Sequence, residues 1–450
     1  MDTLDRAGYG RPSCVPDSVV PMRRVLMGLQ FFPRGGSAHV ARNLAHALPG
    51  AGWDASIVSG SLSRPGRPGD ARAFYAGLDI HPVDFTAALD APDPLLADPP
   101  FHPSFEEREG APDRIFASLG DDIAEHLAAA WARALAAARA SEADVLHLHH
   151  LTPLNEAAAR VAPDVPVVGH LHGTELLMLE AMEAEPERWA HAEAWAERMR
   201  GWAARCERLL VLSKSQDARA ERLLGVPHER CVEVNNGFDP ELFHPFEVDR
   251  GAQWAEHVPA LAGYEGPVLL YVGRFTAVKR VPLLIEAYSQ AQERFRERAP
   301  LVLVGGFPDE FEGEHPDEAI ERTGAQDVHL AGWHEHAALA RFLNAADLVV
   351  LPSVAEQFGQ VLVEGMACGR PVVAVNSHGP AEIVDPGETG WLVPGDDRDA
   401  LAEALVEAVN DPGERRRRGA RARAVALERY AWPSLAERVA AVYETALCGN

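Results

Sequence analysis

Short, continuous apolar runs separated by longer helical patterns constrain this sequence more than any other feature. In the first half they are Arg24–Leu29, Ala55–Ser59, Asp144–Leu148, Pro166–His170, Arg208–Ser213 and Cys231–Val234. After a looser, polar stretch near residues 240–264 the series resumes with Pro267–Val272, Pro300–Val304, Asp327–Leu330, Asp347–Leu351 and Pro371–Val375. A strand with one wet face alternates apolar and polar residues, whereas a continuous run must be buried on both faces, as in a parallel sheet covered by helices. The expected fold class is therefore α/β, with two doubly wound, Rossmann-like domains facing each other across a cleft.

Composition supports two cores and narrows the partners. A chain of 450 residues exceeds one ordinary core, and 47% hydrophobic residues suffice for two. The 42 basic against 67 acidic residues give a net charge of −25, which repels polyanions and anionic lipid surfaces. Nucleic acid is not an expected partner, and membrane association is disfavoured. Cysteines stand at 14, 206, 231, 368 and 448 with no C-x-x-C pair, which argues against a disulfide framework or a thiolate metal site and fits a reduced cytoplasm. Residues 1–21 carry Asp, Gly and Pro where a secretory signal needs an apolar run, and are read as a flexible tail; no run of about 18 apolar residues occurs anywhere.

Doubly wound sheets bind ligands beyond the carboxyl ends of their strands, so the residues just after each run carry the chemistry. After Val272 come Gly273, Arg274 and Lys279, then a helical pattern from Pro282. The glycine lets the backbone leave the strand tightly, and the two cations can converge on phosphate oxygens; the bland alternative is a solvated basic loop. Of the 42 basic residues only Lys214 and Lys279 are lysines, so Lys279 marks a place where a compact, flexible ammonium is wanted. No strand is followed by G-x-G-x-x-G, which disfavours a dinucleotide. Beyond Leu351, Glu356 stands on a loop and Glu364 just over one turn into a helix starting near Gln360, on the same face as Gln360. The amides of Phe358, Gly359 and Gln360 make that helix start an anion site. Two carboxylates for hydroxyls and two cations with amides for phosphates suit a nucleotide diphosphate sugar. The alternative is a helix cap at Glu356 and a paired, half-buried Glu364.

These residues resemble the family-4 retaining glycosyltransferases of GT-B fold, and the likeness covers nearly the whole chain. The family's E-x7-E element appears as Glu356 to Glu364, its glycine-arginine-lysine element as Gly273, Arg274 and Lys279, and its glycine-rich loop as Gly35-Gly36-Ser37-Ala38. Asn235-Asn236-Gly237-Phe238-Asp239 is similar to its turn at the end of the first domain. The resemblance implies an acceptor-side domain over 22–250, a donor-binding domain over 264–430 and a last helix, within 431–450, that crosses back to the first domain. It implies that Glu356 contacts the donor sugar, Glu364 the ribose, Arg274 and Lys279 the diphosphate, and the backbone near Gly332 and Trp333 the base. His172 becomes the histidine that reaches the donor sugar. No cofactor is implied: the co-substrate is a nucleotide diphosphate sugar, UDP- or GDP-linked, and the acceptor a soluble sugar, metabolite or natural product. The enzyme is expected to be a hexosyltransferase; the other GT-B-type reading is a nucleotide-sugar epimerase or hydrolase, which would consume donor without an acceptor.

His147 and His149 share one face of a strand, and His170 precedes His172 on the next. An H-x-H pair is a possible zinc set, but no third ligand has an obvious spacing, so no metal site is expected and these histidines are placed at strand ends lining the cleft. His147, His149 and His170 are acceptor-side candidates or simply packed, and Lys214 and Gly35 are the other acceptor-side candidates. Asp397-Arg398-Asp399 matches a metal-binding D-x-D pattern, yet it opens a helix, where capping accounts for it. Arg415–Arg418 is expected to be a solvated helix face. The Pro- and Gly-rich segment 61–120 is a candidate insertion or lid. With both glutamates assigned to donor hydroxyls and Glu175 turned away by a helix starting at Thr174, front-face displacement with retention is the mechanism expected.

Overall fold

A computed structural model describes residues 22–33, 35–63, 69–107, 113–306 and 311–448; the tail expected over residues 1–21 lies outside them. The apolar runs become two all-parallel sheets. The first contains β1 (Arg23–Leu29), β2 (Trp53–Ser61), β3 (Asp79–Asp84), β4 (Val145–His149), β5 (Val167–His170), β6 (Arg208–Val211) and β7 (Cys231–Glu233), in the order β3-β2-β1-β4-β5-β6-β7. The second contains β8 (Leu269–Gly273), β9 (Leu301–Gly305), β10 (Val328–Gly332), β11 (Leu348–Leu351), β12 (Val372–Val375) and β13 (Gly390–Val393), in the order β10-β9-β8-β11-β12-β13. The sequence did not declare β3 and β13. Both are edge strands; β3 includes Pro82 and is only half-buried, and β13 has four residues, so neither shows a long apolar run.

Three other expectations are corrected by packing. The polar stretch near 240–264 is no loose linker: it holds the helix Arg250–His257, capped where Asp249 accepts from the Ala252 amide at 2.9 Å, and it buries Phe243, Trp254 and Leu261 in the core of the second sheet. Its apolar residues are spaced too widely to stand out. The described part of segment 61–120 is not a free lid, because Phe101, Phe105 and Phe116 are buried in first-domain clusters. Within Arg415–Arg418 only Arg416 and Arg417 are exposed; Arg418 lies 3.9 Å over the Trp391 ring and Arg415 donates to the Ala408 carbonyl at 2.7 Å. Their long stems pack while the guanidinium groups find acceptors. The described cysteines, 206, 231, 368 and 448, are free.

The chain passes between the sheets twice, and the passages are hydrogen-bonded to each other. The Phe238 amide donates to the Tyr430 carbonyl at 2.9 Å, and the Trp432 amide to the Phe238 carbonyl at 3.3 Å. Beyond this junction the helix Trp432–Cys448 lies on the first sheet, its Trp432, Leu435, Val439 and Tyr443 clustering with Val25, Met27, Val145 and Val168. Each such apolar side chain contributes about 1.5–3 kcal/mol on burial. Gly237 is held against this helix: an added Cβ would stand 2.6 Å from the Trp432 indole and 2.8 Å from Leu435. Gly237→Ala is therefore expected to cost about 1–3 kcal/mol, the scale of overpacking, read as a lower urea midpoint. An unchanged midpoint would show that the junction is not tightly packed.

Candidate active site

Strand order reverses between β1 and β4 in the first sheet and between β8 and β11 in the second. At such points neighbouring loops diverge and open a crevice at the carboxyl ends of the strands. The loops that carry Arg274–Lys279 and Glu356–Gly359 leave β8 and β11, at the reversal of the second sheet. They are tied together where the Val354 amide donates to the Val278 carbonyl at 3.0 Å.

The buried Tyr271 hydroxyl donates to the Arg274 carbonyl at 2.7 Å and fixes the start of the first loop. The Arg274 side chain is exposed and has no ion pair among the described residues. Lys279, in the single turn Ala277–Lys279, forms an ion pair with Glu356 in which each side chain is mostly buried. In the second loop Gly359 adopts φ +102, which suits glycine, and opens the helix Gln360–Ala367. Its first-turn amides point out of the helix end. Glu364 is 2% exposed, and its Oε1 accepts from His336 Nε2 at 2.7 Å. The Phe358 ring packs on Tyr430, and the Gln360 side chain donates to the Gly237 carbonyl at 2.8 Å, so both side chains serve the junction. Gly332 ends β10 with φ +75, and Trp333 beyond it is 45% exposed.

Across the cleft, Gly35 precedes the helix Gly36–Ala47, and a Cβ at Gly35 or Gly36 would meet no atom within 4 Å. Protein packing does not require these glycines; the open space in front of them does not constrain a ligand. That helix brings His39 to 5.8 Å from the His336 ring. Burial, with Arg42 and His336 nearby, lowers the His39 pKa to about 4. Gly173, at φ +97, starts the helix Thr174–Ala184, and its Cβ position lies 3.1 Å from Gln357 Oε1. Arg219 donates to the same oxygen at 3.1 Å. The Lys214 amide donates to Glu382 at 3.2 Å, while its side chain is exposed. Gln357 and Glu382 thus join the two lips.

For three of the histidines the packed alternative holds and the cleft-lining one is corrected. His147, His149 and His170 are 0–1% exposed and lie inside the first domain rather than on the cleft wall; His172 alone of the four is partly exposed. Strand alternation gave their common face, but the helix Trp432–Cys448 covers it, and its Tyr443 bonds His147 at 2.6 Å. The third metal-ligand candidate that spacing did not reveal is His170: nitrogens of His147, His149 and His170 come within 4.8 Å of one another. Two of these rings are already hydrogen-bonded to each other, His147 Nε2 to His170 Nδ1 at 3.2 Å. Asp397 accepts from the Ala400 amide at 2.9 Å as a helix cap, and Asp399 pairs with Arg398. Glu175 is fully buried, accepting from the His172 amide at 3.0 Å and facing His150 at 3.3 Å.

Sequence reasoning missed His39, His336 and Gln357. His336 lies three residues beyond Trp333, after the carboxyl end of β10, where the strand-end rule would have found it. Burial pulls the His336 pKa down, but the bond to Glu364 and that carboxylate's charge outweigh it, and the net shift is upward from 6.5. A raised folded pKa means that the pair's stabilisation is full below 6.5 and is lost as pH rises through the folded value. His336→Gln is expected to lower Tm more at about pH 5.5 than at about pH 9. A Tm difference that does not vary with pH would show that the pair is not ionic.

The first part of the chain, residues 34–242, matches the family model described as Glycosyltransferase Family 4, and residues 253–425 match Glycosyl transferases group 1. A D-inositol 3-phosphate glycosyltransferase of Kribbella flavida is 32% identical over 67% of this chain and 71% of its own. Among solved structures, sucrose-phosphate synthase from Thermosynechococcus elongatus superposes with TM-score 0.66 at 22% identity, over 95% of this chain and 100% of that one. Anabaena HepE in complex with UDP does so with TM-score 0.66 at 20% identity, over 94% and 100%. Two matched family models laid end to end, a relative of this identity and the shared pair of parallel sheets agree: the chain belongs to the family-4, group 1 glycosyltransferases of GT-B fold.

Proposed function

We propose that the protein is a retaining, metal-independent hexosyltransferase that moves a sugar from a UDP- or GDP-linked donor to a hydroxyl of a small soluble acceptor in the cytoplasm. The observation that carries this reading is the convergence, at the reversal point of the second sheet, of Arg274, Lys279, Glu356 and an outward helix end, with Glu364 one turn behind. Residues 264–430 bind the donor and residues 22–250 the acceptor. Arg274, Lys279 and the amides of Phe358, Gly359 and Gln360 hold the diphosphate, Glu356 and His172 the sugar, Glu364 the ribose, and Gly273, Gly332 and Trp333 the remaining nucleotide surface. Gly36 belongs to the donor side of the cleft and Gly35 to the acceptor side, where a Cβ at either would meet no protein atom within 4 Å. The acceptor lies near Lys214, and the names of the inositol phosphate and sucrose-phosphate relatives favour a phosphorylated polyol or sugar. His147, His149 and His170 are too buried to touch it directly. No helix among the described residues is long and apolar enough to cross a membrane.

Lys279 and Glu356 pair with each other. Donor entry exchanges that pair: the ammonium turns to the diphosphate and the carboxylate to sugar hydroxyls. The acceptor oxygen then attacks the anomeric carbon on the face from which the diphosphate leaves. The new C–O bond forms as the old one breaks, and the acceptor proton passes to a departing phosphate oxygen. Arg274 and Lys279 stabilise the charge that grows there. A double displacement would need a carboxylate nucleophile beneath the sugar, and the nearest in sequence to His172, Glu175, is committed to the His172 amide and His150. Asp397 and Asp399 are engaged in capping and pairing, which favours diphosphate binding by side chains and amides.

Removing one electrostatic contact to a developing charge typically costs on the order of tenfold to a thousandfold, and Lys279→Ala is expected to lose kcat/KM on that scale while remaining folded. Normal turnover by the folded variant would overturn the diphosphate assignment. The stereochemical outcome is the second test: in excess EDTA, an α-linked donor is expected to give an α-glycoside, read from the anomeric proton coupling for a gluco-type sugar. A β-product, or activity that EDTA abolishes and magnesium restores, would refute the mechanism.

A further inference from the structure

Four histidines form a column on one face of the first sheet. His147 and His149 alternate along β4, His170 pairs beside His149 at the end of β5, and His172 follows. Adjacent rings stack with centroids 4.5–5.3 Å apart. The hydrogen bonds fall into two chains. The Tyr443 hydroxyl meets His147 Nδ1 at 2.6 Å, and His147 Nε2 meets His170 Nδ1 at 3.2 Å. Separately, His149 Nδ1 meets His172 Nε2 at 2.9 Å. His149 Nε2 and His170 Nε2 are buried with no hydrogen-bond partner.

The orphaned His149 nitrogen determines where the His172 proton sits. Burial, followed by the neighbouring imidazoles, holds His147, His149 and His172 well below the usual histidine range and His170 down to about 3, so each ring is neutral with a single N–H. A neutral imidazole has one donor and one acceptor. A buried N–H without an acceptor is rarer and costlier than a buried lone pair without a donor. His149 therefore keeps its proton on Nδ1, where a partner exists, and leaves Nε2 bare. Its Nδ1–H donates to His172 Nε2, so the His172 proton must be on Nδ1. The other chain, from Tyr443 through His147 to His170, is separate and does not bear on the His172 proton. His150, 4.6 Å from the His172 ring, and Glu175 flank the upper end, and Glu175 is held by the His172 amide.

We propose that His149 is a positioning residue, which fixes the ring and tautomer of His172 so that its Nδ1–H is offered as a neutral donor to a sugar oxygen. His172 then cannot serve as a base through that nitrogen. The catalytic consequence rests on the reading of His172 as a donor-sugar contact; the tautomer does not.

The test uses the full chain with 15N-labelled histidine. The His172 signals, assigned by their loss in His172→Gln, are expected to show a protonated Nδ1 and a bare Nε2. In His149→Leu, which keeps volume but loses the donor, His172 should shift toward its Nε2–H form. That variant should lose kcat on the order of 10–100-fold, the scale for a partner that orients a ligand-contacting histidine, with donor KM changed only a few-fold. His149→Asn places an amide N–H where Nδ1–H was and should recover about tenfold of that loss. A wild-type His172 protonated at Nε2 would overturn the proposal, as would kcat following side-chain volume, with Asn worse than Leu. The wild-type spectrum decides the tautomer even if a variant fails to fold. Full turnover by His172→Gln would remove the role given to His172 while leaving the tautomer result standing.

Discussion

Both sheets are parallel and covered on both faces, so neither has room for an unpaired charge within its body. A strand interior such as Leu348–Leu351 or Val372–Val375 is buried throughout, and a charge placed there would lack both water and a partner. Functional side chains are forced to the carboxyl ends, and only where the strand order reverses do neighbouring loops separate enough to leave room. Arg274, Lys279, Glu356 and Glu364 gather at such a point in the second sheet. The partly exposed His172 sits near the corresponding point of the first, one strand over. The paired crossings at Phe238 and Ala431 hold these two edges opposite each other.

Charge balance governs the cleft between them. Glu364 is almost wholly buried and would be costly alone; His336 supplies its partner. Glu356 is matched by Lys279 in the same way. A polar ligand can enter by exchanging partners, so that no carboxylate is left both buried and unpaired at the end. Arg274, exposed and without an ion pair among the described residues, needs no such exchange.

Where the sequence reading went astray, a partner distant in the chain was most often responsible. His147 and His149 were correctly put on one strand face, but which face the last helix covers depends on Tyr443, nearly 300 residues away. Arg415 and Arg418 looked like solvent-facing charges until Trp391 and the Ala408 carbonyl were found beneath them. Trp254 gave no periodic signal, yet the second core encloses it. Strand β3 was missed because an edge position tolerates Pro82 and polar neighbours. Asp397, in contrast, was legible, because capping depends only on the amide three residues ahead.

The sequence by itself determined the parallel strands, the loops after Val272 and Leu351, and the residue types that those loops carry, because burial on both faces and helix initiation are set by neighbours within a few positions. Tertiary structure alone decided which charges are paired. The Lys279–Glu356 and His336–Glu364 contacts join residues 77 and 28 positions apart. The tautomer of His172 was likewise beyond local reading: it depends on a His149 ring nitrogen left buried without a partner and on a hydrogen bond between residues 23 positions apart.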